Sequence, residues 1–115
     1  MTIVVDELSL VFSALADPTR RSILERLAEG DATVNELTEP SALTQQAISK
    51  HLKVLERARL ISRTQAGQSR PCVLEAERLD SAVDWIAQNR QVWADRHDRL
   101  EEHLAALRGR SEGPR

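Results

Sequence analysis

Leu43-Thr44-Gln45-Gln46-Ala47-Ile48-Ser49-Lys50-His51-Leu52-Lys53-Val54-Leu55 carries a helical repeat from which the rest of the architecture can be inferred. At a helical step of about 100° per residue, Ile48, Leu52 and Leu55 gather on one side. Gln46, Ser49, Lys50, Lys53 and Arg57 point away from it. Thr44 stands where an N-cap belongs, its hydroxyl able to accept from an orphan backbone N–H. Just upstream, Thr33-Val34-Asn35-Glu36 has the spacing of a capping box and predicts a short helix cut off by Pro40. Ser41-Ala42-Leu43 is the turn between the two. A short capped helix, a three-residue turn and a second helix with polar residues outward is the helix-turn-helix layout.

Working outward, Leu8, Val11, Phe12 and Leu15 recur at helical spacing and predict a first helix over residues 7–16. Asp17-Pro18 starts a second, because Asp caps well and Pro suits the first helical position. Ile23, Leu24 and Leu27 form its apolar stripe, and Gly30 is its stop. After the fourth helix, residues 60–65 and 69–74 read as strands around the glycine-containing turn Ala66-Gly67-Gln68, with Pro71 suited to a two-stranded edge element. Residues 78–108 hold neither proline nor glycine and form a fifth helix. The expected fold is therefore mainly α with a small β-hairpin wing, five helices in all. Residues 1–108 are expected to form one DNA-binding and dimerisation domain, with 109–115 a flexible C-terminal tail.

Composition narrows the function. Apolar residues make up 41% and charged residues 30%, and no apolar run nears the roughly 20 residues a spanning helix needs. The N-terminal residues lack the pattern of a signal peptide, so a cytoplasmic protein with no membrane partner is expected. Cys72 is the single cysteine, which excludes an internal disulfide and a cysteine-cluster metal site. Net charge is −2, yet from Ser41 to Cys72 there are six basic residues and one acid, Glu56. That segment carries +5 and the remainder −7, a dipolar distribution that allows DNA binding by one face. Four glycines and three histidines scattered over unrelated elements assemble no phosphate loop, nucleophile elbow or cofactor site, so an enzyme is not expected.

Roles on that face follow from chemistry. Gln45 and Gln46 pair with adenine or, more loosely, with other bases, and Ser49 donates or accepts. Lys50 reaches guanine or phosphate, and Lys53 phosphate. Thr44 caps the helix and stands near a phosphate. His51, about 60° from the buried centre, either packs structurally or contacts DNA. On the wing, Gln68 and Arg70 are candidates for the adjacent backbone or minor groove, where arginine is attracted, with Arg63 at the hairpin base.

Leu79, Ile86, Trp93, Leu100 and Leu107 fall at seven-residue intervals, with Val83 and Leu104 beside them. A helix of that length is about 45 Å long, more than so small a core covers. Part of its stripe is expected to meet a second copy, with Ile86, Trp93, Leu100, Leu104 and Leu107 as interface residues and Leu8 and Phe12 of the first helix as companions. Such a homodimer sets two recognition helices about 34 Å apart on a palindromic site.

Ala14-Leu15-Ala16-Asp17-Pro18-Thr19-Arg20-Arg21, the stretch from Leu43 to Leu55 and the wing with Arg70 resemble the ArsR-type (arsenic-repressor-like) regulators over about residues 8–107. The resemblance implies a dimeric winged-helix repressor that sits on its own promoter and is released by an inducing signal. It also marks departures. Thr38 and Pro40 occupy the positions of a metal-binding Cys-x-Cys pair in many members. Asp95-Arg96-His97 matches half of a last-helix metal site, but the other half would fall on Arg108 and Ser111. No metal or cofactor is therefore expected. Arg59 stands where the family often has the glycine that ends the recognition helix. Three other readings stand beside the main one: a thiol switch at Cys72, near Arg70; a metal response through the last helix; and an interaction module with a vestigial helix-turn-helix, against which the basic glutamine-bearing face argues.

Overall fold

The computed structural model describes residues 6–111. Its elements are α1 (Glu7–Leu15), α2 (Pro18–Glu29), α3 (Val34–Thr38), α4 (Gln45–Arg57), β1 (Ile61–Arg63), β2 (Cys72–Leu74) and α5 (Glu77–Ser111). Five helices and an antiparallel hairpin reproduce the expected winged helix-turn-helix architecture. Each of the first four helices starts at a side-chain cap. Asp6 accepts from the Ser9 N–H, Asp17 from Arg20, Thr33 from Glu36 and Thr44 from Ala47. Thr33 and Glu36 form the reciprocal capping box. The hydrogen bonds each cap carboxylate accepts from backbone N–H hold Asp6 and Asp17 below the usual carboxylate range.

Contacts divide the described residues into two units, with the break between Ala82 and Val83, inside α5. In the first unit, Val11 and Ala14 of α1, Ile23, Leu24 and Leu27 of α2, Leu37 of α3 and Ile48, Leu52 and Leu55 of α4 make one core with Leu60, Ile61 and Cys72. No polar or charged residue among those described is buried. In the second unit, residues 83–109 are exposed apart from the half-buried Ala94. The helix also runs on to Ser111, past the expected end at Arg108, and residues 112–115 of the expected tail lie outside the described residues.

The hairpin pairs Ile61 with Leu74, Ser62 with Val73 and Arg63 with Cys72. Ala66 and Ser69 exchange backbone hydrogen bonds of 3.0 and 3.1 Å, closing a tip in which Gly67 takes φ 63°. The far side of β2 is not a bare edge. Cys72 and Ala32 exchange hydrogen bonds of 2.7 and 3.2 Å, tying the loop before α3 to the wing. A one-residue bridge has no periodicity, so the sequence carries no sign of it.

Helix α4 ends in a Schellman arrangement closed by a residue other than glycine. The Leu60 N–H reaches the Leu55 carbonyl at 3.0 Å and the Arg59 N–H reaches Glu56 at 2.9 Å, with Arg59 at φ 59°. Leu55 and Leu60 are both fully buried and supply the apolar contact that accompanies this motif. Left-handed geometry costs a side-chain-bearing residue about 1–2 kcal/mol, and glycine's greater freedom in the unfolded chain offsets about 0.4–1 kcal/mol of any gain. The Arg59–Glu7 ion pair, 3.9 Å and exposed, adds little. Arg59→Gly is therefore expected to stabilise the protein by about 0.5–1 kcal/mol, read as a higher urea midpoint at unchanged slope. A lower midpoint would show that the arginine is held for its contacts.

Candidate nucleic-acid interface

Burial of Ile48, Leu52 and Leu55 orients α4, so the opposite face is set by packing. Thr44, Gln45, Gln46, Lys50, Lys53 and Arg57 are exposed there, and Ser49 is half-buried. The amide of Gln45, the first residue of α4, donates to the side-chain carbonyl of Asn35 on α3. Asn35 was not among the residues the sequence singled out. Ten positions separate the two, and only the packing of α3 on α4 brings them together.

The wing stands beside this face. The Arg63 guanidinium donates through Nε and Nη2 to the Arg70 carbonyl at 3.3 and 3.1 Å, bracing one strand against the other. Gln68 and the Arg70 side chain are exposed near the tip, which Gln65 and Ser69 stiffen by bonding the Gly67 and Ala66 carbonyls. A groove of about 310 Å³ lies between the start of α3 and the wing, lined in part by Thr33, Asn35, Arg63 and Arg70.

His51 lies among structural partners. Its Nδ1 is 3.3 Å from Arg20 Nη1 and 3.8 Å from an Asp17 carboxylate oxygen. Arg20 in turn donates to the Ala14 and Ser13 carbonyls at 2.9 and 3.0 Å, and Arg21 to Leu15 at 2.7 Å. Two cations thus satisfy the last carbonyls of α1, where the helix dipole favours positive charge. The Asp-Pro-Thr-Arg-Arg run is a corner joint that also holds α4.

Of the residues expected at a dimer interface, Leu8 and Phe12 are half-buried on α1, packed against the core. Ile86, Trp93, Leu100, Leu104 and Leu107 are exposed on α5, Trp93 to 64% and Leu100 to 54%. Val92, which the seven-residue series passes over, is exposed as well. Trp93 stacks on His97 at 5.1 Å, and His97 Nε2 lies 3.2 Å from a Glu101 oxygen. Asp95 accepts from Gln91. Among the described residues, no group of three or more His, Cys, Asp or Glu is placed to hold a metal ion.

Cys72 lies at the wing base with no exposed surface. Burial pushes its thiol above the ordinary range, and Glu56 adds to this; Arg63 and Arg70 pull the other way without overcoming it. A buried, protonated thiol is a poor nucleophile, which counts against a thiol switch. Labelling of the native protein by a disulfide reagent at neutral pH is expected to be far slower than in denaturant. Equal rates would restore the thiol as a sensor.

A model of helix-turn-helix domains matches residues 15–64. The chain is similar to the transcriptional repressor SdpR of Bacillus subtilis, with 37% identity over 76 residues, covering 66% of this chain and 84% of SdpR. It is similar in structure to an ArsR family transcriptional regulator, at 37% identity and TM-score 0.72, over 77% of this chain and 98% of that one. It also resembles the homodimeric winged helix-turn-helix DNA-binding domain of a possible ArsR-family regulator from Mycobacterium bovis, at 26% identity and TM-score 0.59, over 86% of each. None of the described helices is long and apolar enough to cross a membrane. The capped helix pair, the wing and these likenesses agree on a DNA-binding regulator rather than an enzyme, and the chain belongs to the ArsR family of winged helix-turn-helix transcriptional regulators.

Proposed function

We propose that the protein is a cytoplasmic, sequence-specific repressor that binds a palindromic operator as a homodimer, represses its own promoter among others, and leaves DNA in response to an inducer. The observation that carries this reading is the exposed face of α4, where glutamines and lysines stand together beside an arginine-bearing wing. Gln45, Gln46 and Ser49 meet base edges in the major groove, Lys50 reaches guanine or phosphate, and Thr44 and Lys53 meet phosphates. Arg70 and Gln68 meet the flanking backbone or minor groove. Arg63 contributes charge at the wing base and, through its bonds to the Arg70 carbonyl, holds Arg70 in place.

Dimerisation is supported by the apolar side chains of α5, since a row of exposed leucines and tryptophans marks an association surface. The similar domain from Mycobacterium bovis is described as homodimeric, and SdpR as a repressor. Leu8 and Phe12 join Ile86, Trp93, Leu100, Leu104 and Leu107 at the interface between copies. Two-fold symmetry then sets the operator's palindromy.

Footprinting of the purified protein on genomic DNA, beginning with its own promoter, tests the reading; absence of any protected site there or elsewhere overturns it. Lys50→Ala is expected to weaken operator binding without changing the oligomeric state. If Lys50 meets a phosphate, the slope of log affinity against log salt becomes shallower by about 0.9; if it reads guanine, base preference relaxes at one position in each half-site. Unchanged affinity removes Lys50 from the interface. Leu100→Asp is expected to lose dimer and DNA affinity together, measured by sedimentation and gel shift. A variant that stays dimeric would remove Leu100 from the seam.

A further inference from the structure

The first unit holds a cleft of about 410 Å³ that the DNA-binding reading does not use. Helix α2 forms one wall, and the end of α3 with the turn Pro40–Leu43 forms the other. Ile23, Leu37 and Ile48, all core residues, reach its floor. Leu43 lines its lip at 38% exposure, and every other large apolar side chain exposed to that degree among the described residues lies on α5. Leu43 is therefore an uncovered apolar surface beside an apolar hollow, in a unit whose other large apolar side chains are buried or half-buried.

The polar part of the lining has one sign. Arg26 is the single charged residue there, accompanied by the hydroxyls of Thr19, Ser22 and Ser41. Nη1 of Arg26 donates to the Gly30 carbonyl at 2.9 Å, which anchors the guanidinium and leaves its other N–H groups for an acceptor. An aliphatic floor with convergent hydroxyls and one cation, in a volume within the range of small-molecule sites, selects an amphipathic anion.

We infer that this cleft binds a small organic anion with an aliphatic body, of the class of medium-chain carboxylates, and that this ligand and operator DNA weaken each other's binding. The coupling has a physical route. The turn that walls the cleft leads directly into Thr44, the cap of α4, and Ile48 of α4 lies on the floor. A ligand seated between α2 and that turn shifts the base of the recognition helix and adds negative charge near a surface that meets phosphates. By linkage the effect is reciprocal. The site itself stands on the cleft alone, whereas the antagonism rests on the proposed role of α4 in DNA binding.

Sodium octanoate and octan-1-ol are the probes, titrated into the full chain and followed by backbone amide shifts at constant ionic strength. Saturable shifts centred on Ser22, Arg26 and Leu43 are expected for both. Arg26→Gln should weaken octanoate about tenfold, the worth of one charge-assisted hydrogen bond, and leave octan-1-ol unchanged, while Arg26→Lys restores most of the octanoate affinity. Ser22→Phe, on the exposed side of α2, should abolish both, with thermal unfolding confirming that it folds. The absence of saturation, shifts that map elsewhere, or an Arg26→Gln variant that binds octanoate like the wild type overturns the site. With a duplex selected by the wild-type protein, octanoate is expected to lower DNA affinity, and unchanged affinity overturns the antagonism. A protein that binds octanoate in this way but no duplex of any sequence refutes the DNA-binding role of α4 and leaves the site standing.

Discussion

Ile48, Leu52 and Leu55 leave no more than 1% of their surface to solvent, and they occupy one face of α4. Burying such a side chain contributes roughly 1.5–3 kcal/mol, so α4 cannot roll about its axis without losing several of them at once. The direction of Gln46, Lys50 and Lys53 follows from what the other side of the helix has buried. The same anchor sets the far end. Leu60 packs with Leu55 where the Schellman hydrogen bonds turn the chain, and that turn launches β1 of the wing. Recognition helix and wing are thus positioned by one patch of core, which is how two elements separated by a reversal of the chain come to present one surface.

The corner between α1 and α2 supports this arrangement from behind. Three carbonyls at the end of α1 accept from the side chains of Arg20 and Arg21. Asp17 caps α2 while standing 3.8 Å from His51 of α4. A short polar run therefore joins three helices without burying an unsatisfied group, and no buried side-chain nitrogen or oxygen among the described residues lacks a partner. His51 sits on the recognition helix but belongs to this joint.

The electrostatic layout separates two tasks. A chain with net charge −2 has a net positive stretch between residues 41 and 72, which include α4 and the hairpin. The residues of α5 beyond Ala82 bring a different property, a set of exposed aliphatic and indole side chains on a helix that is otherwise heavily charged. The concentration of positive charge and the exposed apolar side chains thus lie on different stretches of the chain.

Much of this was legible in the sequence, because caps, periodicity and turn chemistry are local. Asp17, Thr33 and Thr44 announce their helices by side-chain hydrogen bonds to N–H groups three residues away, and the three apolar positions of α4 repeat at the helical step. The hairpin was legible from its glycine-bearing turn. What needed the folded chain was every pairing between distant residues: Ala32 with Cys72, Asn35 with Gln45, Arg20 with His51, and the choice of the Arg63 guanidinium to brace the Arg70 carbonyl. The protonation tendency of Cys72 belongs with these. Sequence places Arg70 near the thiol, but only packing reveals that burial outweighs the arginines. Local hydrogen bonding and periodicity are written along the chain, whereas desolvation and cross-element contacts depend on which surfaces meet, and that is decided by the tertiary fold alone.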